Sequence, residues 1–301
     1  NGWMIESLLW AGMVFGEREW IALAERAADY LWSTHWVDGA LRRTSLDGVV
    51  GDAAGVAEDH GAVAHAFGLL AGVLGEPVWL ERAVAVLDAA VAAFAADDGG
   101  FYDASGEGLF TRPRDVQDNP TPSGTMALVT ALRSVGLLAG RTDFTSRADA
   151  AARTTWGTVA ASPRHASAAL TDLLAADEAR KGLRPAVAVV LDEAGDPLND
   201  AARAAWRMAP AGTVVLSGRP GTTGFGRWFE VDGAAPSAPA TESKLTHARI
   251  GGSGQVEVES DEYDEHEVVP LAQVVHVRRG GVSFPPASTV QELRAALWSR
   301  A

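Results

Sequence analysis

Residues 59–95 read DHGAVAHAFGLLAGVLGEPVWLERAVAVLDAAVAAFA, which predicts two helices joined by a tight link. In the second half of this stretch, apolar residues recur at helical spacing from Val78 to Phe94. Pro77 occupies a place where proline is tolerated, in the first turn of a helix. The stretch therefore indicates a helical hairpin, with helices over residues 59–74 and 77–95.

Helical pairs are predicted on both sides of this hairpin as well. From Glu17 to His35 the apolar side chains again follow helical spacing, and Thr142 followed by Asp143 has the pattern of a capped helix start. The predicted helices cover residues 2–15, 17–35, 59–74, 77–95, 122–139, 142–160 and 163–181. Successive pairs start about sixty residues apart, which is typical of a toroid or solenoid of helical pairs.

The connections between the predicted helices alternate in length. The links inside the pairs are short, whereas residues 36–58 and 96–121 form long polar loops. In an up-and-down array, every second connection lies at the same end of the helices. We therefore expect the two long loops to meet on one face.

Each long loop also contains the signal of a β-hairpin. The segment LRRTSLDGVV turns at Asp47 and Gly48, and GGFYDASGEGLFTRP turns at residues 105–108. The expected architecture is thus mainly α, with β-hairpins in the long loops.

After Gly182 the pattern changes to that of a small α/β unit. AVAVVLD and TVVLSG are typical of buried strands around the helix-like DPLNDAARAAWRMA, and VVHV precedes a terminal helix, STVQELRAALW. We place the helical region at residues 1–182 and the α/β region at residues 183–301. A loosely ordered, acidic segment is expected near residues 233–267.

Composition excludes several classes of function. The 301 residues include 25 basic and 39 acidic side chains, for a formal net charge of -14, and no basic run offers a phosphate-binding face. Nucleic acid and anionic membrane are therefore not expected partners. The absence of cysteine excludes disulfides, thiolate catalysis and cysteine-based metal sites, and it fits a cytoplasmic protein.

The chain opens inside what already resembles a helix, NGWMIESLLWAG, without a methionine. We interpret it as part of a longer protein. The sequence contains neither an apolar run of membrane-spanning length nor a signal-peptide pattern.

Candidate chemistry begins at the end of the first long loop. Glu58, Asp59 and His60 stand at the start of a helix, where a carboxylate or imidazole serves as a general acid or base or binds hydroxyl groups. The alternative is that these acids cap the helix. Trp36, at the entrance of the same loop, is the tryptophan we assign to ligand stacking.

The second long loop adds acids beside aromatic rings. Asp98, Phe101 and Tyr102, followed by Asp103, suit a carbohydrate, which presents hydroxyls at its edge and C–H groups on its faces. Arg112 is expected to bind a carboxylate, either of a ligand or within the loop. A hairpin held by internal salt bridges is the alternative.

Asp118 and Asn119 precede the helix start Thr-Pro-Ser-Gly at residues 121–124 and are expected to face the mouth of the helical array. An Asx-turn that only shapes the loop is the alternative. Glycoside hydrolysis requires paired carboxylates, which Glu58 or Asp59 could form with Asp98 or Asp118. A sugar epimerase would instead use histidines, with His60 and His65 as candidates. No cofactor and no metal site is predicted.

The ordered set AEDH, GGFYD, LFTRP, DN and PSG resembles the helical region of the thioredoxin-domain-containing proteins related to spermatogenesis-associated protein 20. NGWMIESL, DGALRR, RPAVAVVLD and VVHVRRGGVSFPP extend the resemblance over nearly the whole chain. The resemblance implies a six-hairpin-glycosidase-like, or (α/α)6, barrel, here incomplete, and a missing amino-terminal thioredoxin-like domain in cis.

The chain departs from that family in one motif. Where the family usually places two cysteines around a short Arg-Gly turn, this sequence has arginine, glycine, valine and serine at residues 278–283, so no redox or metal role is expected there. Two hypotheses follow. Either the mouth binds, and by acid–base chemistry processes, a carbohydrate-like ligand, or the chain is a non-catalytic binding or scaffold module.

Overall fold

The computed structural model describes residues 1–106, 110–180, 186–210, 212–225, 228–229, 249–250, 256–257, 270–279 and 282–298. Its first half is helical, as predicted. The helices are α1 (Gly2–Phe15), α2 (Arg18–Tyr30), α3 (Ala57–Leu74), α4 (Pro77–Phe94), α5 (Gly124–Ala139), α6 (Thr142–Ala161) and α7 (Ser167–Arg180). A π-helical turn, Leu31–His35, extends α2, and a 3₁₀ turn, Pro163–His165, precedes α7.

Tight links join α1 to α2, α3 to α4 and α5 to α6. The first helix of each pair ends at a glycine in the left-handed conformation, with φ of 80° at Gly16 and 67° at both Gly75 and Gly140. Since a side chain is strained in that conformation, these glycines let the chain reverse within two residues. The predicted helical hairpins are thereby confirmed.

The helices α1, α3 and α5 lie side by side and run in the same direction. A β-carbon added to Gly2 would lie 2.6 Å from the Ala62 carbonyl carbon, and one added to Gly61 would lie 2.5 Å from that of Ala127. These glycines therefore let three backbones approach closely. Ion pairs connect the second helices of the three pairs, α2, α4 and α6. Arg82 of α4 pairs with Asp29 of α2, and Arg141, just before α6, pairs with Asp88 of α4.

The first long loop folds into two short hairpins. They pair β1 (Trp36–Val37) with β2 (Ala40–Leu41) and β3 (Ser45–Leu46) with β4 (Val49–Val50). Asp47 and Gly48 both have positive φ, 50° and 80°, as a two-residue turn between antiparallel strands requires. This confirms the predicted turn. The turn predicted at residues 105–108 falls partly on residues outside the described ranges.

The α/β region is built on a mixed sheet. Strand β5 (Ala186–Leu191) connects through α8 (Asp200–Met208) to the parallel strand β6 (Val214–Gly218). The remaining elements are β7 (Arg249–Ile250), β8 (Val256–Glu257), β9 (Pro270–Arg279), β10 (Val282–Ser283), β11 (Ala287–Thr289) and α9 (Val290–Trp298). β9 runs antiparallel to β5, and β10 and β11 pair with it. The predicted strands and both predicted helices are confirmed.

Most of the acidic segment predicted near residues 233–267, and the boundary predicted at residue 182, lie outside the described residues. Within the described part, the α/β region covers the carboxyl ends of α1, α3 and α5. Arg207 Nε donates to the Val14 carbonyl at 3.0 Å, and Trp228 Nε1 donates to the Leu137 carbonyl at 3.3 Å. None of the described helices is both long enough and apolar enough to cross a membrane.

Candidate functional site at the loop end of the helices

Both long loops meet at the amino terminus of α3, as the alternation of link lengths predicts. From the first loop, Arg43 Nε approaches Asp59 Oδ2 at 3.5 Å. From the second, the Asp103 carbonyl accepts a hydrogen bond from Ala57 N–H at 2.9 Å. We call this surface, formed by the two loops and the amino ends of α3 and α5, the loop end.

Asp118 is held entirely by helix starts. Its Oδ1 accepts from the N–H group of Ser123, the N-cap residue of α5, at 3.0 Å. Its Oδ2 accepts from Ser167 Oγ at 3.0 Å and from Ala168 N–H at 2.8 Å, at the start of α7. The carboxylate therefore joins two helix amino termini, where unpaired N–H groups and the helix dipole favour an anion. Asn119, predicted beside it as a ligand contact, is exposed.

Asp98 forms an ion pair that closes the second loop on itself. Its Oδ2 accepts from Arg114 Nη1 at 2.6 Å, and its Oδ1 accepts from Gly100 N–H at 3.0 Å. The hydrogen bond from Arg114, followed by that from Gly100, holds the pKa of this exposed carboxyl below its usual value. Asp98 is thus an anion with a committed partner.

Arg112 binds backbone carbonyls of the protein rather than a carboxylate. Its Nη2 donates to the Ala93 carbonyl at 2.7 Å, and its Nε donates to the Ala104 carbonyl at 3.1 Å. The guanidinium also lies over the Tyr102 ring, with Cζ 4.0 Å from the ring centroid. This cation–π contact uses one face of the aromatic ring assigned to a ligand.

Asp59 and His60 stabilise the start of α3. Asp59 Oδ2 accepts from Val56 N–H at 2.9 Å, which is half of a capping box. His60 Nδ1 bonds to the Val56 carbonyl at 2.9 Å, and its ring packs edge-on against Phe94. Burial lowers the pKa of His60 more than the Val56 hydrogen bond and the Asp59 charge raise it.

The remaining predicted rings pack inside the protein on at least one face. Phe101 is fully buried, and it forms an isolated bridge with Ala95. Trp36 stacks on Trp32, with centroids 5.2 Å apart and planes 13° apart. Both rings are explained by packing against protein neighbours.

Glu58 and Asp103 are two half-buried acids of the loop end, and the charge of Glu58 acts on the Asp103 carboxyl group. Asp103 Oδ2 accepts from Asp115 N–H at 2.8 Å. Burial raises the pKa of the Asp103 carboxyl; the Asp115 N–H and Arg114 lower it, and the Asp115 and Glu58 charges raise it. A β-carbon on Gly124 would lie 3.3 Å from both Asp103 Oδ1 and Glu58 N, so this glycine leaves room where the two segments meet.

The sequence patterns point to segments that the structure brings together at the loop end, but several residues there have other partners than expected. The sequence pattern places Asp103 with the aromatic cluster without a catalytic role, and it assigns no role to Arg114. Arg114 and Asp98 are sixteen residues apart and form an ion pair because the second long loop folds back on itself. Within the described residues, no group of three or more histidine or acidic side chains is arranged to hold a metal ion.

Comparison with known proteins identifies no family for this chain. No protein-family model matches the chain, and no curated protein matches its sequence.

Proposed function

We propose that the chain is the barrel and carboxy-terminal portion of a thioredoxin-domain-containing protein of the family it resembles. We further propose that Asp59, Asp98 and Asp118 stabilise the loop end of a binding or scaffold module and do not act as acid–base catalysts. The alternation of tight and long links and the ordered motifs of the second loop support the first part. The hydrogen bonds of the loop end support the second.

One observation favours the scaffold hypothesis: most of the predicted polar residues are committed to internal partners. Asp98 is paired with Arg114, Arg112 is bound to backbone carbonyls, and Asp118 accepts three hydrogen bonds. A general acid or base must exchange a proton with its substrate within hydrogen-bonding distance. Protonation of a carboxylate that is shared between two helix termini weakens the hydrogen bonds that hold them, and each lost bond to a buried N–H costs about 1–3 kcal/mol.

The test compares Asp118→Asn with Asp97→Asn in the full chain. Asp97 is an exposed acid of the same loop, so its substitution makes the same charge change outside this network. Both Asp118 oxygens accept from backbone N–H groups, so in Asp118→Asn the amide NH₂ faces another donor in either orientation. We therefore expect the variant to be less stable by about 1–3 kcal/mol. Thermal unfolding is measured with and without a panel of sugars and sugar phosphates, because a bound ligand raises the midpoint.

The scaffold hypothesis predicts a lowered midpoint for Asp118→Asn, an unchanged midpoint for Asp97→Asn and no sugar whose stabilisation depends on Asp118. If Asp118→Asn unfolds at the temperature of the parent but loses stabilisation by a sugar, Asp118 is a ligand contact and the proposal is wrong.

The carbohydrate-processing hypothesis is retained for one pair, Glu58 and Asp103. It is favoured by the raised pKa of Asp103, since glycoside hydrolysis uses one protonated and one ionised carboxyl group. The test is hydrolysis of aryl glycosides by the parent, Glu58→Gln and Asp97→Asn. Turnover that is lost in Glu58→Gln alone supports this pair. An inactive parent, or equal activity in all three proteins, removes it.

A further inference from the structure

A hydrogen-bonded chain in the first long loop leads from the surface to a buried histidine. Tyr30 Oη and Ser45 Oγ lie 3.1 Å apart, and Ser45 Oγ lies 3.0 Å from His35 Nε2. The other imidazole nitrogen, Nδ1, lies 2.8 Å from the Arg42 carbonyl. His35 is 5% exposed, whereas Ser45 is half-buried and Tyr30 is exposed.

The positions of the protons in this chain follow from one fixed acceptor. A backbone carbonyl has no proton to give, so His35 Nδ1 must carry the hydrogen of that contact. In the neutral imidazole, Nε2 is then an acceptor, and the Ser45 hydroxyl must donate to it. The Ser45 oxygen in turn accepts from Tyr30. A serine whose proton points at an imidazole lone pair has the arrangement of an activated nucleophile, and the Arg42 carbonyl orients the base.

Two further serine–histidine contacts occur in the described part of the chain. Ser162 Oγ lies 2.8 Å from His165 Nδ1 in the turn before α7, and the contact of Ser134 with His65 lacks this direction. Ser134 Oγ lies 3.0 Å from His65 Nδ1, but it is also 3.1 Å from the Thr130 carbonyl, four residues earlier in α5. Its single proton therefore has a backbone acceptor, as is usual for a serine inside a helix. Because its proton points at the imidazole, Ser45 is the stronger candidate for a nucleophile, and Ser134 serves as a comparison within the same protein.

The surface beside Ser45 is apolar and open to solvent. Leu46 and Val49, which face each other across the β3–β4 turn, are 78% and 72% exposed. Large apolar side chains at the tip of a polar loop offer contact area to an apolar group. They therefore suit an ester with an aliphatic or aromatic acyl chain.

We propose that Ser45 and His35 form an acyl-transfer site for small apolar esters, with Tyr30 as a hydrogen-bond donor to the reacting oxygen atoms. Ser45 Oγ bonds to the ester carbonyl carbon as its proton passes to His35 Nε2. The tetrahedral species then expels the alcohol, which takes that proton. Water attacks the acyl-serine by the same route and releases the carboxylic acid, restoring both side chains. This inference is independent of the role of the loop-end acids.

The test uses an alkyl fluorophosphonate, which labels activated serines, on the full chain, with the labelled residue identified by peptide mass spectrometry. The matched control is Ser33, an exposed serine whose hydroxyl donates to the Tyr30 carbonyl at 3.4 Å and that we place outside the site. We expect labelling at Ser45, its loss in Ser45→Ala and no change in Ser33→Ala. His35→Gln should slow labelling about 100-fold, the lower range of a general base.

Because His35 is buried, His35→Gln is assayed only if its thermal unfolding shows a folded protein. If it does not fold, the parent protein decides: labelling of Ser45 should exceed that of Ser33 by about 100-fold in the same sample. The proposal is overturned if the parent is not labelled, if the label lies on Ser134 or is spread equally over Ser33 and Ser45, or if folded His35→Gln reacts at the rate of the parent.

Discussion

At the scale of single residues, the acids of the loop end show how one side-chain type serves two opposed roles. A carboxylate before a helix is attracted by unpaired N–H groups, and in Asp59 and Asp118 this attraction uses the oxygens. Glu58 has no hydrogen-bond or ion-pair partner among the described residues, so its carboxylate is not used in this way. Sequence position alone does not tell which acids find such donors. Asp118, for example, binds the start of α7, whose residues lie about fifty positions later in the chain.

His60 gives the clearest pH-dependent prediction at this scale. Its pKa is lowered from 6.5 by burial, so below that pH the unfolded chain binds a proton that the folded protein resists. Stability should therefore be full above about pH 7 and fall as the pH drops through 6.5 toward the folded pKa. Each unit of difference between the two pKa values contributes about 1.4 kcal/mol. Urea unfolding between pH 5 and 8 measures the effect.

The variant His60→Asn keeps a donor for the Val56 carbonyl but does not titrate, so its stability should vary less with pH in this range. The matched control is His165→Asn, at an exposed histidine of the turn before α7. If the parent and His60→Asn lose stability in parallel from pH 7 to 5, burial of His60 is not the cause.

At the scale of elements, the helices were predictable and their contacts were not. Helical spacing, Pro77 and the glycine after each first helix are local signals, and the observed bounds of α1 and α4 agree with the predicted ones within a residue. The ion pair of Asp98 with Arg114 and the stacking of Trp36 on Trp32 depend on how loops return and which faces meet. Such choices are decided by tertiary packing, which a periodic pattern does not encode.

The contact between α3 and α5 allows a sharp test with two glycines in helices. In Gly61→Ala, the new methyl group would lie 2.5 Å from the backbone of Ala127, so the helices must separate. We expect a loss of about 1–3 kcal/mol or more, the usual cost of overpacking. Chemical unfolding provides the measurement.

Gly157→Ala, in α6, is the opposite case because nothing lies within 4 Å of the added methyl group. There the substitution should stabilise the protein by about 0.4–1 kcal/mol through helix propensity and a less flexible unfolded chain. Equal effects of the two substitutions would mean that α3 and α5 do not approach as closely as the structure shows.

At the scale of the whole molecule, the three parallel helices separate two kinds of surface. Their amino ends hold the loop end, with its acids, its hairpins and the Ser45–His35 pair. Their carboxyl ends are covered by the α/β region, whose β6 approaches so closely that a β-carbon on Gly72 would lie 2.6 Å from the Val215 carbonyl oxygen. A ligand at the loop end therefore leaves that interface intact.

Aromatic packing of α1 against α8 is one of the contacts between the helical region and the α/β region. Trp10 and Trp206 meet edge-to-face, with centroids 4.5 Å apart, and Trp206 is buried. We expect Trp206→Ala to cost about 3–5 kcal/mol. A double-mutant cycle with Trp10→Ala should give a coupling energy of about 0.5–1.5 kcal/mol for the ring pair. Trp156→Ala, at a half-exposed ring of α6, is the control and should cost much less.

Hydrogen exchange shows whether this contact joins the regions into one cooperative unit. If it does, Trp206→Ala lowers amide protection in α1 as well as in α8 and β5, because opening one region exposes the face of the other. If protection falls in α8 and β5 while α1 keeps the values of the parent, the regions unfold separately and the ring pair only fixes their orientation. In that case we expect the loop end to keep its function when the α/β region unfolds. Labelling of Ser45 in the Trp206→Ala protein tests this expectation.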